Sequence, residues 1–242
     1  MQEKSCNLSR VFYLYNKSWK ILDCNDIIKS LEKLAHMKGE NLNIMLKYTS
    51  ILKSRPFLYL ELKKASRLKL QGLSDEEIKI KAIEENIFAV NTEARKREIA
   101  STVIKRIQVL DDYILQKIIN GSLQTSKQLA IYSILKTDRL FFEFMKEVYR
   151  EKILLKDFII TDKDFNIFFR RKAEQSEKIA SWKDYTFYKL KQVYKRVLSE
   201  AGFIKNEKKD IEIIPQIIEE DVIKHLKDIG DIVYLEVMLG EI

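Results

Sequence analysis

A chain of 242 residues, 46% of them hydrophobic, has apolar material for one large or two small domains and is not an intrinsically disordered sequence. Six glycines and two prolines leave too little punctuation for the many tight turns of an all-β fold, so helix is the default expectation. The formal charge of +8 favours polyanionic partners. No apolar stretch approaches the ~18 residues of a membrane span and the first residues lack a signal peptide's apolar core, which predicts a cytoplasmic protein with no membrane partner.

Charge is unevenly spread. Residues 171–210 carry 11 basic and 6 acidic side chains, whereas 211–242 carry 2 and 8. A basic body is therefore expected to end in an acidic tail. Cys6 and Cys24 have no CxxC spacing and only His36 and His225 for company, so they read as free thiols; no metal site and no cofactor is expected.

Residues 1–45 form an N-terminal extension in which Val11–Tyr15 fits either a strand or a helix start, followed by a helix from about Asp26 to Met37 ended by Gly39. A first helical lobe is expected over 46–125. After Pro56 a helix runs from Phe57 to Leu70 and stops at Gly72. Ser74-Asp75-Glu76-Glu77 has the form of a capping box and opens a helix to about Glu85. Past a polar break, Thr92–Leu110 carries an apolar stripe of Ile99, Val103, Ile107 and Leu110. Three short helices with a basic third one form a helix-turn-helix pattern. The DNA-contact candidates on it are Arg95, Lys96, Arg97, Lys105 and Arg106; the competing reading is a solvated face, because Glu93 and Glu98 stand at pairing distance.

The second lobe, 126–242, opens with the apolar run Leu140–Tyr149, expected as the hub of the core in a helix broken near Thr137-Asp138. Asp138 and Arg139 read there as a buried pair that fixes helix register. A helix from Asp164 to about Ile179 carries the basic cluster Arg170-Arg171-Lys172, a further set of DNA-contact candidates whose competing reading is a plain helix surface. Thr186–Ala201, ended by Gly202, is amphipathic: Phe187, Leu190, Tyr194, Val197, Leu198 and Ala201 point inward, while Lys189, Gln192, Lys195 and Arg196 point outward. Phe203-Ile204 and Ile211–Ile214 then bracket a basic turn, which completes a winged-helix-like unit over about 164–214. Its DNA-contact candidates are Lys183, Lys189, Lys191, Gln192, Lys195, Arg196, Lys205, Lys208 and Lys209, and the outward Tyr188 is placed to stack on or read bases. Ile217–Ile242 is acidic and amphipathic, one or two helices split by Gly230. The fold class is thus all-α, two packed helical lobes with at most a short β-hairpin.

Nothing here supports catalysis. Neither histidine has a triad partner in sequence, no Gly-rich phosphate loop is present, and strings such as Asp162-x-Asp164 arise by chance in a chain with 33% charged residues.

Several strings are familiar together: Gly72-Leu73-Ser74-Asp75-Glu76-Glu77-Ile78, Glu85-Asn86-Ile87-Phe88, Arg97-Glu98-Ile99-Ala100 through Arg106, Leu135–Leu140 with Phe144, Ser181-Trp182 to Thr186, and Glu200-Ala201-Gly202-Phe203-Ile204. In this order and spacing, from about Lys47 to Asn206, the sequence resembles the BrxA family, components of BREX bacteriophage-exclusion systems. The resemblance implies an all-helical protein likened to NusB-type factors, double-stranded DNA binding, and work alongside other BREX proteins. It does not reach the N-terminal extension or the acidic tail. The expected function is that of a non-enzymatic DNA-binding accessory protein with no small-molecule substrate. The alternatives are a NusB-like RNA-binding factor and a protein–protein scaffold subunit of the defence complex.

Overall fold

The structure is a computed structural model in which residues 46–207 and 210–241 are described. The expectations for the N-terminal extension, Trp19 and His36 among them, and for Lys208 and Lys209 lie outside the described residues.

Local signals in the chain explain where most helices begin. After a single 3-10 turn at Ile51–Lys53, α1 spans Tyr59–Leu70. Helix α2, Asp75–Glu84, opens on a complete capping box: Ser74 accepts from the Glu77 amide while the Glu77 carboxylate accepts from the Ser74 amide at 2.8 Å. Thr92 caps α3, Glu93–Ile107, and Asp111 caps α4, Asp112–Asn120. Ser122 caps α5, Leu123–Leu135, the central helix, whose residues from Leu129 to Leu135 are all buried. Asp138 caps α6, Arg139–Phe144, which runs on through a π-helical stretch at Met145–Arg150 into α7, Glu151–Leu154.

The break at Thr137-Asp138 falls where the sequence places it, but the pairing there differs from expectation. Asp138 caps α6 by accepting from the Phe141 amide at 2.9 Å and faces the guanidinium of Arg106; Arg139 turns away to Glu143 at 2.8 Å and stacks on the Tyr48 ring. Burial pushes the Asp138 carboxyl up to about 6, with the Phe141 amide and Arg106 opposing it.

The second half departs from a bare hairpin. Strand β1, Ile159–Ile160, precedes α8, Asp162–Gln175, the short α9, Glu177–Ala180, and the long α10, Asp184–Ala201. Gly202 ends α10 at φ +82, a conformation costly for any residue with a Cβ. The chain then forms the hairpin β2, Ile204–Glu207, and β3, Asp210–Ile213. All pairing is antiparallel and the strand order is β1-β3-β2, with Ile160 opposite Ile211 and Ile204 opposite Ile213. A two-residue strand shows no alternation, so β1 left no trace in the sequence pattern.

The acidic C-terminal segment is helical and amphipathic, as its sequence predicts. It forms α11, Glu220–Asp228, and α12, Ile232–Leu239, split at Gly230, and Val222, Leu226, Val233, Tyr234, Leu235, Val237 and Met238 are buried. Its carboxylates reach cations on earlier helices. Lys117 meets Glu219 at 2.8 Å, Lys136 meets Asp231 at 2.7 Å, and Arg150 meets Glu236 at 3.4 Å. One hydrophobic cluster extends from Leu52 to Met238 and so joins both halves of the chain.

Candidate nucleic-acid interface

Helix α10 is held against the core by Leu190, Val193, Tyr194, Val197 and Leu198, all buried, with the Tyr194 ring edge-on to Phe141 at 5.0 Å. That fixes which face looks outward. Along it run Tyr185, Tyr188, Gln192 and Arg196, with Lys189 beside them and the exposed Lys183 just before the helix. Tyr185 and Tyr188 are 65% and 53% exposed; their rings stack at 6.5 Å, and the Lys189 ammonium lies 5.3 Å from the Tyr185 centroid. Two large rings left in water on a cationic helix offer faces on which bases can stack and hydroxyls that can reach phosphate.

The flanks of α10 are less available. Asp162, at the first turn of α8, receives hydrogen bonds from Lys195 at 2.8 Å and Lys191 at 3.1 Å; Lys195 first, then Lys191, hold its carboxyl below the usual range against the opposing effect of burial. Both lysines are thereby partly neutralised. Arg196 is weakly tied to Glu200, at 3.7 Å. Gln192 is exposed, as is Lys205 on β2.

Arg170 and Arg171 are both exposed on α8 but diverge. Arg170 lines a groove of about 410 Å³ against α10 with Asn166, Phe187, Tyr188 and Lys191, whereas Arg171 borders a second groove with Glu147, Glu151 and Asp164. Lys172, although next in sequence, is only 4% exposed; its ammonium is bound by Glu143 at 2.8 Å and by Glu147. It ties α8 to α6 and cannot also face a ligand.

Four of the five α3 candidates are pinned rather than presented. Arg95 meets Glu98 at 3.1 Å and the Ser54 carbonyl, Lys96 donates to the Ile83 carbonyl at 3.1 Å, and Arg97 pairs with Glu93 at 3.1 Å. Arg106 is 3% exposed and donates to the carbonyls of Phe57 at 2.6 Å, Pro56 at 2.7 Å and Arg55 at 3.2 Å. It is a clamp on the segment entering α1 and leaves the set of surface candidates. Lys105 alone of the five is exposed with its ammonium unpaired among the described residues.

Tyr185 was absent from the sequence-derived candidates, and its signal was legible: it lies seven residues before Gln192, on the same helical face. Among the described residues no three His, Cys, Asp or Glu side chains are grouped to hold a metal ion, and no helix is long and apolar enough to cross a membrane.

The architecture defines a mainly helical protein with a small antiparallel sheet. The same fold appears in the crystal structure of an uncharacterized protein from Magnetospirillum magneticum, with a TM-score of 0.70, 18% identity, and coverage of 81% of this chain and all of that one. The model of the BrxA family matches residues 46–230. A BREX protein BrxA from Bacillus cereus (strain H3081.97) is 54% identical over 194 residues, which cover 80% of this chain and 97% of the relative. The chain belongs to the BrxA family.

Proposed function

We propose that this chain is a non-enzymatic, double-stranded-DNA-binding component of a BREX-type phage-defence system, working with other proteins of that system. In this reading α6, β1, α8, α10 and the β2–β3 hairpin act as a winged-helix unit, with α10 entering the major groove and the hairpin following the backbone. A recognition helix lying in the major groove presents its outward side chains to base edges. The observation that carries the reading is the outward stripe of α10: Tyr185, Tyr188, Lys189, Gln192 and Arg196, with no carboxylate on the helix between Asp184 and Glu200. Gln192 has the amide geometry to pair with adenine, and Arg196 can reach guanine or phosphate. Lys183, Lys205 and Arg170 supply backbone contacts, which position the protein without reading sequence.

A mobility-shift titration at low salt tests this. Saturable binding to duplex DNA, lost on Gln192→Ala with Arg196→Ala, is expected. Absence of a shift at ~50 mM salt, where backbone electrostatics are strongest, contradicts it. Preference for structured RNA over duplex in a competition assay would favour an RNA-binding role in its place.

A further inference from the structure

A cleft of about 420 Å³, lined by no residue of α10, lies between the segment Leu46–Arg55, helix α3 and the turn joining α5 to α6. Its size is within the roughly 300–1,000 Å³ of small-molecule sites. Among the described residues five cations line it, Lys47, Arg55, Lys105, Arg106 and Lys136, against a single carboxylate, Asp138. That carboxylate is buried and already accepts from the Phe141 amide.

The five cations divide by commitment. Arg106 is engaged by backbone carbonyls and Lys136 by Asp231. Lys47 and Lys105, both exposed, have no acceptor among the described residues, and Arg55 reaches only Glu98, at 3.2 Å, with its Nε buried and lacking an acceptor. The other cations of α3 are engaged by neighbouring carboxylates or carbonyls, so Lys105 stands apart on that helix. A cleft walled by one sign of charge concentrates field and counter-anions within it. The turn Ile51–Lys53 that forms one wall also packs against α10.

We propose that this cleft binds a phosphate group through Lys47 and Lys105, with Arg55 at its edge. The phosphate is either a backbone phosphate of a polynucleotide or that of a free phosphorylated ligand; the first source rests on the proposed DNA-binding function, the second does not. The experiment compares the intact protein with the Lys47→Ala/Lys105→Ala double variant, whose altered side chains are both exposed and whose melting temperature should be unchanged. Calorimetric titration uses inorganic pyrophosphate, and a salt series measures affinity for a short duplex.

Pyrophosphate binding that weakens at least tenfold in the variant, with an unchanged salt slope on duplex, supports a free phosphorylated ligand. A salt slope shallower by about one in the variant supports a backbone phosphate, since each neutralised phosphate contributes about −0.9 to the log–log slope. Pyrophosphate binding that is absent or equal in both proteins, together with an unchanged slope, overturns the proposal. Should the intact protein bind no duplex at all, the DNA-binding function fails by itself and the pyrophosphate arm decides the cleft. An Arg196→Ala variant, which leaves the cleft untouched, should lose duplex affinity and keep pyrophosphate binding.

Discussion

Arg106 and Lys172 show how a charge that looks like a ligand contact becomes part of the frame. Both sit seven residues after a core residue, Ile99 and Phe165 respectively, so each continues a buried helical stripe. That spacing is legible, but a cation beside other cations looks exposed. What sequence cannot display is the acceptor set, three carbonyls 49 to 51 residues upstream for Arg106 and two carboxylates for Lys172. Arg106→Ala should therefore cost about 3–5 kcal/mol in urea unfolding, as expected for one partner removed from a buried ionic cluster. Lys105→Ala, one residue earlier and exposed, should stay within about 0.5 kcal/mol. Equal losses would contradict the assignment. Asp138 gives a pH signature. Its carboxyl is raised from an ordinary 3.8 to about 6 in the fold, so the folded state holds the proton more tightly than the unfolded chain. Its contribution is full below about pH 4 and is lost as pH rises through about 6. Asp138→Asn keeps a capping side chain but cannot ionise, so it should gain stability relative to the parent over that window. A constant difference between the two across pH 4–7 would exclude this role.

At the scale of elements, most helix starts were written in short-range chemistry. The capping box at Ser74 was read from four residues, and Gly202 marks the end of α10 as expected. The equivalent box at Thr161, where the Asp164 carboxylate accepts from the Thr161 amide at 2.7 Å, was missed because Asp stands where Glu or Gln is the usual signal. Thr161→Ala should cost about 1 kcal/mol and leave the circular-dichroism spectrum of the folded protein unchanged. Strand β1 was not legible because two residues carry no period; it exists only through its pairing with β3, about fifty residues later. The stripe of α10 was readable from the wheel, with the lysines on its flank less free than they looked. Their partner Asp162 comes from α8, and such a cross-helix pair depends on packing that no single helix encodes.

For the whole molecule, the mainly helical class is legible from composition and period, and so are the helices of the acidic C-terminal segment split at Gly230; how much of that segment completes the core is not. Charge described its outer surface, whereas Tyr234, Leu235 and Met238 describe the side that completes the core. Leu235→Ala should destabilise the entire protein cooperatively by about 2–5 kcal/mol, with far-UV signal from all helices lost in one transition. A separate early transition confined to the last helices would contradict the continuous core. The last 32 residues carry −6 and the first 210 carry +14, so net charge understates the basic surface available to a polyanion. The central claim is that α10 presents the DNA-binding surface, and one comparison tests it most directly: duplex affinity against salt for the parent, for Lys189→Glu/Arg196→Glu on α10, and for Arg97→Glu on α3. The expected result is a steep salt dependence in the parent, at least tenfold weaker binding and a shallower slope in the α10 variant, and little change at Arg97, whose charge Glu93 already neutralises. Unchanged affinity and slope in the α10 variant would contradict the claim.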